Sequence, residues 1–557
     1  MTVAVGPEAI SGQRRLFDTD RWLLALCFIL PVAALVIFFL YPLAVVVIRS
    51  ITEPDGSLGF ANYVRVLDSA NFWNATANSL TMTLSTTVLS VGLGLVVAYA
   101  VHRCRVPGRT VIQAAVALPL LAPSLVQGLG LIFLLGRNGI VARASGIEIE
   151  IYGFWGLLLA NMLYALPQAT LIIGASLRSA DARLYEAAEI LGTPSWRQFI
   201  DITLPNIKFG LLSAAFVVFT VTITDFGNAA TIGGDYTVLA TEIYNQVVGQ
   251  MNFNLGAVVG ILLLLPTILA FYLERVAAQR QFGVASESAV PLTPVWTPRR
   301  DLPMMAAAGA IALMPIVTIG IVIYASFVRL WPYRFDLTLR HYSVTVAGGY
   351  DPLWTTVEIS LLAGLVGTAA LFALGLALRR APRRLTKPIY FVCLLPAAVP
   401  GLVLGLAYIF AFNVPGTPLY ALYGTAVLLA VCNVVHYATQ GFLTTMTGLR
   451  QVPPALEETA TCLGGGFARV VLDVIGPFML PTLVSVFFFL FMRSMVTLSA
   501  VIFLVTPTVS VASVSIMRLD EAGFTSQAAA YATCTMAVVV AASALMRISL
   551  HLLDRRR

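Results

Sequence analysis

The charged and polar residues of this chain that could do chemistry gather in two short islands and at two isolated points inside apolar runs. The first island, LYEAAEILGTPSWRQFIDITLP at 184–205, sets Glu186, Glu189, Arg197 and Asp201 around Gly192. The second, LEETATCLGGGFARVVLDVIGP at 456–477, sets Glu457, Glu458, Arg469 and Asp473 around Gly464. The isolated points are Asp225, in TITDFGNAATIGG, and Arg493, in FMRSMVTLSAVIFL. Catalysis needs a nucleophile, a base and an oxyanion donor to converge, and no such set can be assembled from these spacings. The four histidines (His102, His341, His436, His551) are scattered without ligand spacing, so no metal site is expected. A phosphate-binding loop requires G-K-[ST], whereas the two lysines, Lys208 and Lys387, follow Ile207 and Thr386. The chain is therefore expected to bind no cofactor and to hydrolyse no ATP. What remains for the islands is contact with a partner, or the plainer role of a solvated loop.

The surroundings of the islands are those of a membrane protein. Of 557 residues, 59% are hydrophobic and 11% charged, against roughly a quarter charged in soluble domains. The first apolar run, Trp22 to Ile48, carries no charge; it is too long for a signal peptide and is read as a retained span. Twelve spans are expected, beginning near 22, 78, 111, 153, 209, 254, 304, 353, 388, 418, 479 and 525. With both termini in the cytoplasm, most of the 34 basic residues fall on cytosolic segments, including HRCRVPGR at 102–109 and RRAPRR at 379–384. This accounts for the net charge of +7 without nucleic acid, and both islands then lie in the cytosol. The six cysteines form no C-x-x-C pair, so neither a disulfide framework nor a zinc site is expected.

The chain also repeats itself. Residues 161–205 align without a gap to 433–477, with thirteen identities in 45 positions. These include Asn161/Asn433, Gln168/Gln440, Glu186/Glu458, Gly192/Gly464, Asp201/Asp473 and Pro205/Pro477. LPLLAPSLVQGLGLIF at 118–133 likewise echoes LPAAVPGLVLGLAYIF at 395–410. The expected fold is all-α, with about twelve transmembrane helices in two parallel six-helix repeats about an axis along the membrane normal. The expected divisions are a cytosolic segment at 1–21, a first repeat at 22–276, a flexible cytosolic linker at 277–302 and a second repeat at 303–557. Within each island, helix formers lead to a glycine break and a proline stop, predicting two short helices across the membrane face.

Glu186, Ala187 and Ala188, then Gly192, Ile202, Leu204 and Pro205, form a pattern that resembles the signature loop of binding-protein-dependent ABC transporter permeases. The resemblance implies a type I importer fold in a bacterial plasma (inner) membrane. It implies that each loop docks on one of two copies of an ATPase subunit, which carry the ATP and Mg, and that an extracytoplasmic solute-binding protein delivers the cargo. The second loop keeps Glu458, Gly464 and Pro477 but has Thr459–Ala460 for the alanine pair and Gly476 before the proline. TDFGNAATIGGDYTVLATEIYNQVVGQMNFNLGAVVG with RSMVTLSAVIFLVTP is similar to fused permeases that import ferric iron or 2-aminoethylphosphonate; VLATEIYNQVVGQMNF is nearer the phosphonate members, so the resemblance implies 2-aminoethylphosphonate or another phosphonate as the expected cargo and ferric iron as the alternative. An ion-coupled secondary transporter is the rival class, one that needs no docking loops. Charges inside spans are costly and usually face a pathway or each other. Asp225 and Arg493 are thus expected either on a translocation route, with Thr222, Asn228, Ser494 and Thr497 beside them, or as a salt bridge bracing the repeats. His436 is expected as a packed polar contact.

Overall fold

In lipid, backbone polar groups can be satisfied only within helices or closed barrels, and this chain takes the helical solution. The computed structural model describes residues 7–53, 55–284, 290 and 292–555. Eleven helices among the described residues are long and apolar enough to cross a membrane, and a bent pair makes a twelfth. In chain order they are α1 (Asp20–Ser50), α2 (Ala70–Arg103), α3 (Leu125–Ser145), α4 (Phe154–Arg178), α5 (Ser195–Ile223), α6 (Phe253–Gln281), α7 (Pro298–Phe327), α8 (Asp351–Arg380), the pair α9 (Arg384–Ala398 with Gly401–Phe412), α10 (Ala426–Gln451), α11 (Phe467–Met495) and α12 (Thr525–Asp554).

The third span of each repeat, expected to begin near 111 and 388, is broken rather than one continuous helix. In the first repeat a short helix, Arg109–Leu121, precedes α3; in the second, α9 bends by 109°. Both breaks fall before a proline. Pro123 and Pro400 push Ala122 (φ −124°, ψ 150°) and Val399 (φ −93°, ψ 118°) into extended backbone, so the helix cannot run through. The LP-x-x-x-P echo seen in the sequence is this break, made twice.

The first span of each repeat packs across the boundary between halves. The lower part of α1 lies on α8 and its upper part on α9, while α7 lies on α2 and α3. A Cβ on Gly130 would collide with the Thr318 carbonyl, so α3 and α7 approach at backbone distance. The Tyr408 hydroxyl donates to the Phe38 carbonyl, 2.7 Å away, within a π-turn of α1. The expected linker is also shorter than 277–302. Helix runs to Val284 and restarts at Pro298, and Val290 accepts a hydrogen bond at 2.9 Å from the Ala182 amide. Positions 285–289 and 291 of that linker lie outside the described residues.

Candidate translocation cavity and docking loops

The two proline breaks expose loop backbone to a space between the halves, a cavity of about 170 Å³. Ser124 and the stretch 396–401 form part of its wall; Tyr164, Thr220, Thr224 and Asp225 come from the first repeat, and His436, Tyr437, Arg493, Thr497 and Ser499 from the second. Asp225 sits where α5 gives way to the short helix Gly227–Ile232, and its carboxylate accepts the Asn228 amide at 3.0 Å. The Arg493 guanidinium lies 4.9 Å from the Tyr437 ring centre. The Tyr437 hydroxyl is 2.9 Å from Thr497 Oγ1, which donates to the Arg493 carbonyl at 2.6 Å.

Asp225 and Arg493 thus share a cavity, but no ion pair joins them among the described residues. The salt-bridge brace considered from sequence is not formed. Asn228 and Ser494, expected on the route, stand behind its wall instead. Asn228 donates to Asn161 Oδ1 at 3.0 Å and accepts from the Gly128 amide at 3.3 Å, and Asn433 donates to Ser494 Oγ at 2.7 Å. The repeated asparagines therefore tie α4, through Asn161, to the short helix that follows α5, and α10, through Asn433, to the last turn of α11. Thr222 is buried and also off the wall.

Around the cavity the two sides differ. On the side away from the islands Tyr244 stacks on Phe503 across the halves, with centroids 6.1 Å apart, and Phe226 packs tilted against Tyr244 at 5.0 Å. Toward the islands, a space of about 740 Å³ shares Val221, Gln440 and Arg493 with the cavity. A further one of about 390 Å³ shares Ala114, Ala117, Leu171 and Arg547 with that space and ends at His102 and Arg178. Along this series Asp225 is the one carboxylate that lines the wall, against three arginines.

The islands fold alike. Asp181 caps the helix Ala182–Ile190 by accepting the Arg183 amide at 3.1 Å, and Pro453 leads into the helix Pro454–Cys462. Each helix ends on a glycine in the left-handed region, Gly192 at φ 71° and Gly464 at φ 80°. The Thr193 and Gly465 amides then close back on Ala188 and Ala460, each at 2.9 Å. Glu186, Ala187 and Glu458 are exposed, Ala188 is buried, and Pro205 and Pro477 open the next helical stretch after matched π-turns at Phe199–Thr203 and Val470–Ile475. A widened turn makes room for a proline ring that an α-turn would drive into the preceding carbonyl.

Arginines at the ends of α2 and α8 clamp these helices from behind. Arg103 stacks on the Tyr185 ring at 4.4 Å and donates to the Leu177 carbonyl at 3.2 Å. In the second half Arg379 and Arg380 pair with Glu457 at 2.7 and 3.6 Å, and Arg379 donates to the Leu449 and Val452 carbonyls. Tyr185 and Glu457 occupy equivalent positions, so the same job is done by cation–π stacking in one loop and by an ion pair in the other. On the face away from these clamps, large apolar residues are exposed: Ile190 is 87% exposed, Leu191 81% and Leu463 84%. Leucine is too common in this chain for the Leu191/Leu463 identity to stand out in the alignment; exposure is what singles the pair out.

A polar cavity shared by two parallel helical repeats, with a matched and clamped loop on each, is the arrangement of a membrane permease. The chain belongs to the binding-protein-dependent transport system inner membrane components, whose family model matches it twice, over residues 90–283 and 367–557. It is a fused, two-repeat ABC importer permease subunit and a multi-pass inner-membrane protein, which sets aside the ion-coupled secondary transporter. The ferric transport system permease protein FbpB of Actinobacillus pleuropneumoniae is 27% identical over 550 residues, covering 95% of this chain and 78% of that protein. A putative FbpB of Haemophilus influenzae is 27% identical over 518 residues, covering 89% and 80%. The thiamine transport system permease protein ThiP of Brucella abortus (strain 2308) is 31% identical over 254 residues, 44% of each chain.

Proposed function

We propose that this permease imports ferric iron, handed to it by an extracytoplasmic binding protein, through the Asp225–Arg493 cavity and out on the island side. Two copies of an ATPase subunit, carrying the ATP and Mg, seat on Gly192 and Gly464 and rock the halves in alternating access. The observation that carries the mechanism is the pair of matched sockets, each presenting exposed leucine outward and clamped by arginine to a span behind it. A stiff element of that kind passes a partner's closure to the bundle without dissipating it in a loose loop. Iron as cargo is supported by the ferric permeases, similar over nearly the whole chain.

A second cargo reading, 2-aminoethylphosphonate, is favoured by one observation: the cavity wall offers Arg493 and Asp225 apart from each other, as a zwitterion would need. Titrating the cognate binding protein with Fe(III) and with 2-aminoethylphosphonate, followed by uptake of whichever binds, decides between them. Tight phosphonate binding with no iron binding overturns the iron reading.

A further inference from the structure

Buried polar atoms are nearly always hydrogen-bonded, so two orphans on residues that line one cavity call for an explanation. Arg493 Nε and His436 Nδ1 are both buried without a hydrogen-bond partner among the described residues, and both residues line the cavity between the repeats. The His436 ring sits 4.6 Å from that of Tyr437, over which the guanidinium lies. Tyr164, from the other repeat, brings a second phenol to the same guanidinium. These groups supply donors: a planar cation, the Tyr164 hydroxyl and an imidazole that can hold a proton on either nitrogen, while Tyr437, whose own proton goes to Thr497 Oγ1, holds the guanidinium in place. Such a set matches tetrahedral or planar oxyanions, which arginine grips with paired N–H donors. The acidic side is thin. Asp225 is the one carboxylate on the wall, it already accepts the Asn228 amide, and no cluster of three metal-binding His, Cys, Asp or Glu residues occurs among the described residues.

We infer that the cavity is an oxyanion site, held by Arg493, His436 and Tyr164, with Tyr437 positioning the guanidinium and Asp225 facing any cationic part of the same cargo. The inference rests on the reading of the cavity as the route and narrows what travels it: iron enters with an oxygen-bearing anion attached, and bare Fe(III) finds no cage. A phosphonate and the anion accompanying ferric iron present the same chemistry to Arg493. The volume of about 170 Å³ suits a cargo of a few heavy atoms.

The test uses the full-length permease in lipid nanodiscs. Inorganic phosphate, 2-aminoethylphosphonate, Fe(III) nitrilotriacetate and Fe(III) with phosphate are titrated by calorimetry at constant ionic strength. Phosphate is expected to bind saturably, with affinity reduced at least tenfold in Arg493→Gln and partly restored in Arg493→Lys. Tighter binding of the aminophosphonate than of phosphate identifies a zwitterionic cargo; binding of Fe(III) only when phosphate is present identifies a ferric–anion cargo, and either outcome supports the site. A second measurement is available if Arg493→Gln does not fold: phosphate slows alkylation of a Thr224→Cys permease, and chloride does not. Equal alkylation with and without phosphate, or binding of Fe(III) nitrilotriacetate, itself a carboxylate complex, that is the same in wild type and Arg493→Gln, overturns the inference. The importer reading is judged separately, by retention of the ATPase at the two sockets, which a failed anion titration does not touch.

Discussion

Replacing Leu191 and Leu463 by aspartate tests whether the islands are sockets. Both side chains are more than four-fifths exposed, so the isolated permease loses almost no packing and its stability should move by no more than about 0.5 kcal/mol. Docking is where the cost falls. Burying a leucine against a partner contributes about 1.5–3 kcal/mol, and a carboxylate in the same cleft adds desolvation on top. A loss of at least tenfold in ATPase affinity is therefore expected at each socket. The sockets lie in different halves and share no partner residues, so the two losses should multiply in the double variant. They should not be equal. The first socket keeps Ile190, 87% exposed, beside the substituted position, whereas the second has Cys462 there, so Leu463→Asp is expected to cost more. The assay is co-purification of tagged permease with its ATPase across a salt series, with solute uptake in parallel. A folded double variant that keeps its ATPase and transports at the wild-type rate refutes the socket reading.

Three further expectations follow from the same geometry. Gly192→Val meets no neighbouring atom but must hold φ near +71°, a backbone strain of about 1–2 kcal/mol, so inserted protein persists while uptake is lost; normal uptake counts against docking at this loop. Asn433→Leu strips the donor from the buried Ser494 hydroxyl and should lower the unfolding midpoint by an amount equivalent to about 1–3 kcal/mol, with Asn161→Leu acting likewise through Asn228; unchanged thermal melts refute the brace assigned to both. Asp520, in the helix Ala512–Glu521, is pushed up to about 6 by burial and by the neighbouring Glu521 charge. A carboxyl whose folded pKa is raised costs no stability below the unfolded value near 4 and a growing amount as pH climbs to 6. Asp520→Asn should therefore raise the melting midpoint at pH 7 and leave it unchanged at pH 3.5, a crossover readable by differential scanning fluorimetry.

The membrane class, the spans, the repeat and the two islands were legible in the chain because each is a local property. Hydropathy over some 20 residues reports a span, and identical spacings report a repeat wherever the copies end up. Even the breaks in the third spans were half visible, since Pro123 and Pro400 sit at matching places in the 118–133 and 395–410 echo. Proline spacing does not say how far a helix will bend, and the 109° turn at α9 depends on what packs around it.

The rest was decided by residues hundreds of positions apart. Asp225 and Arg493 could be placed at similar depth by the offset of 272, yet whether they paired depended on rotamers set by Asn228 and Tyr437. Asn228 and Ser494 resembled route residues because a polar side chain in a span looks the same from the sequence whether it faces a cavity or a neighbouring helix. The crossing of α1 and α7 onto opposite halves leaves no periodic trace, since lipid and a neighbouring helix are equally apolar surroundings. Sequence alone determined that this is a doubled, many-span membrane protein, because composition and repetition need no third dimension. Tertiary structure alone decided which polar groups meet inside it and which leucines face out of it, because facing is a relation between surfaces that the linear chain does not contain.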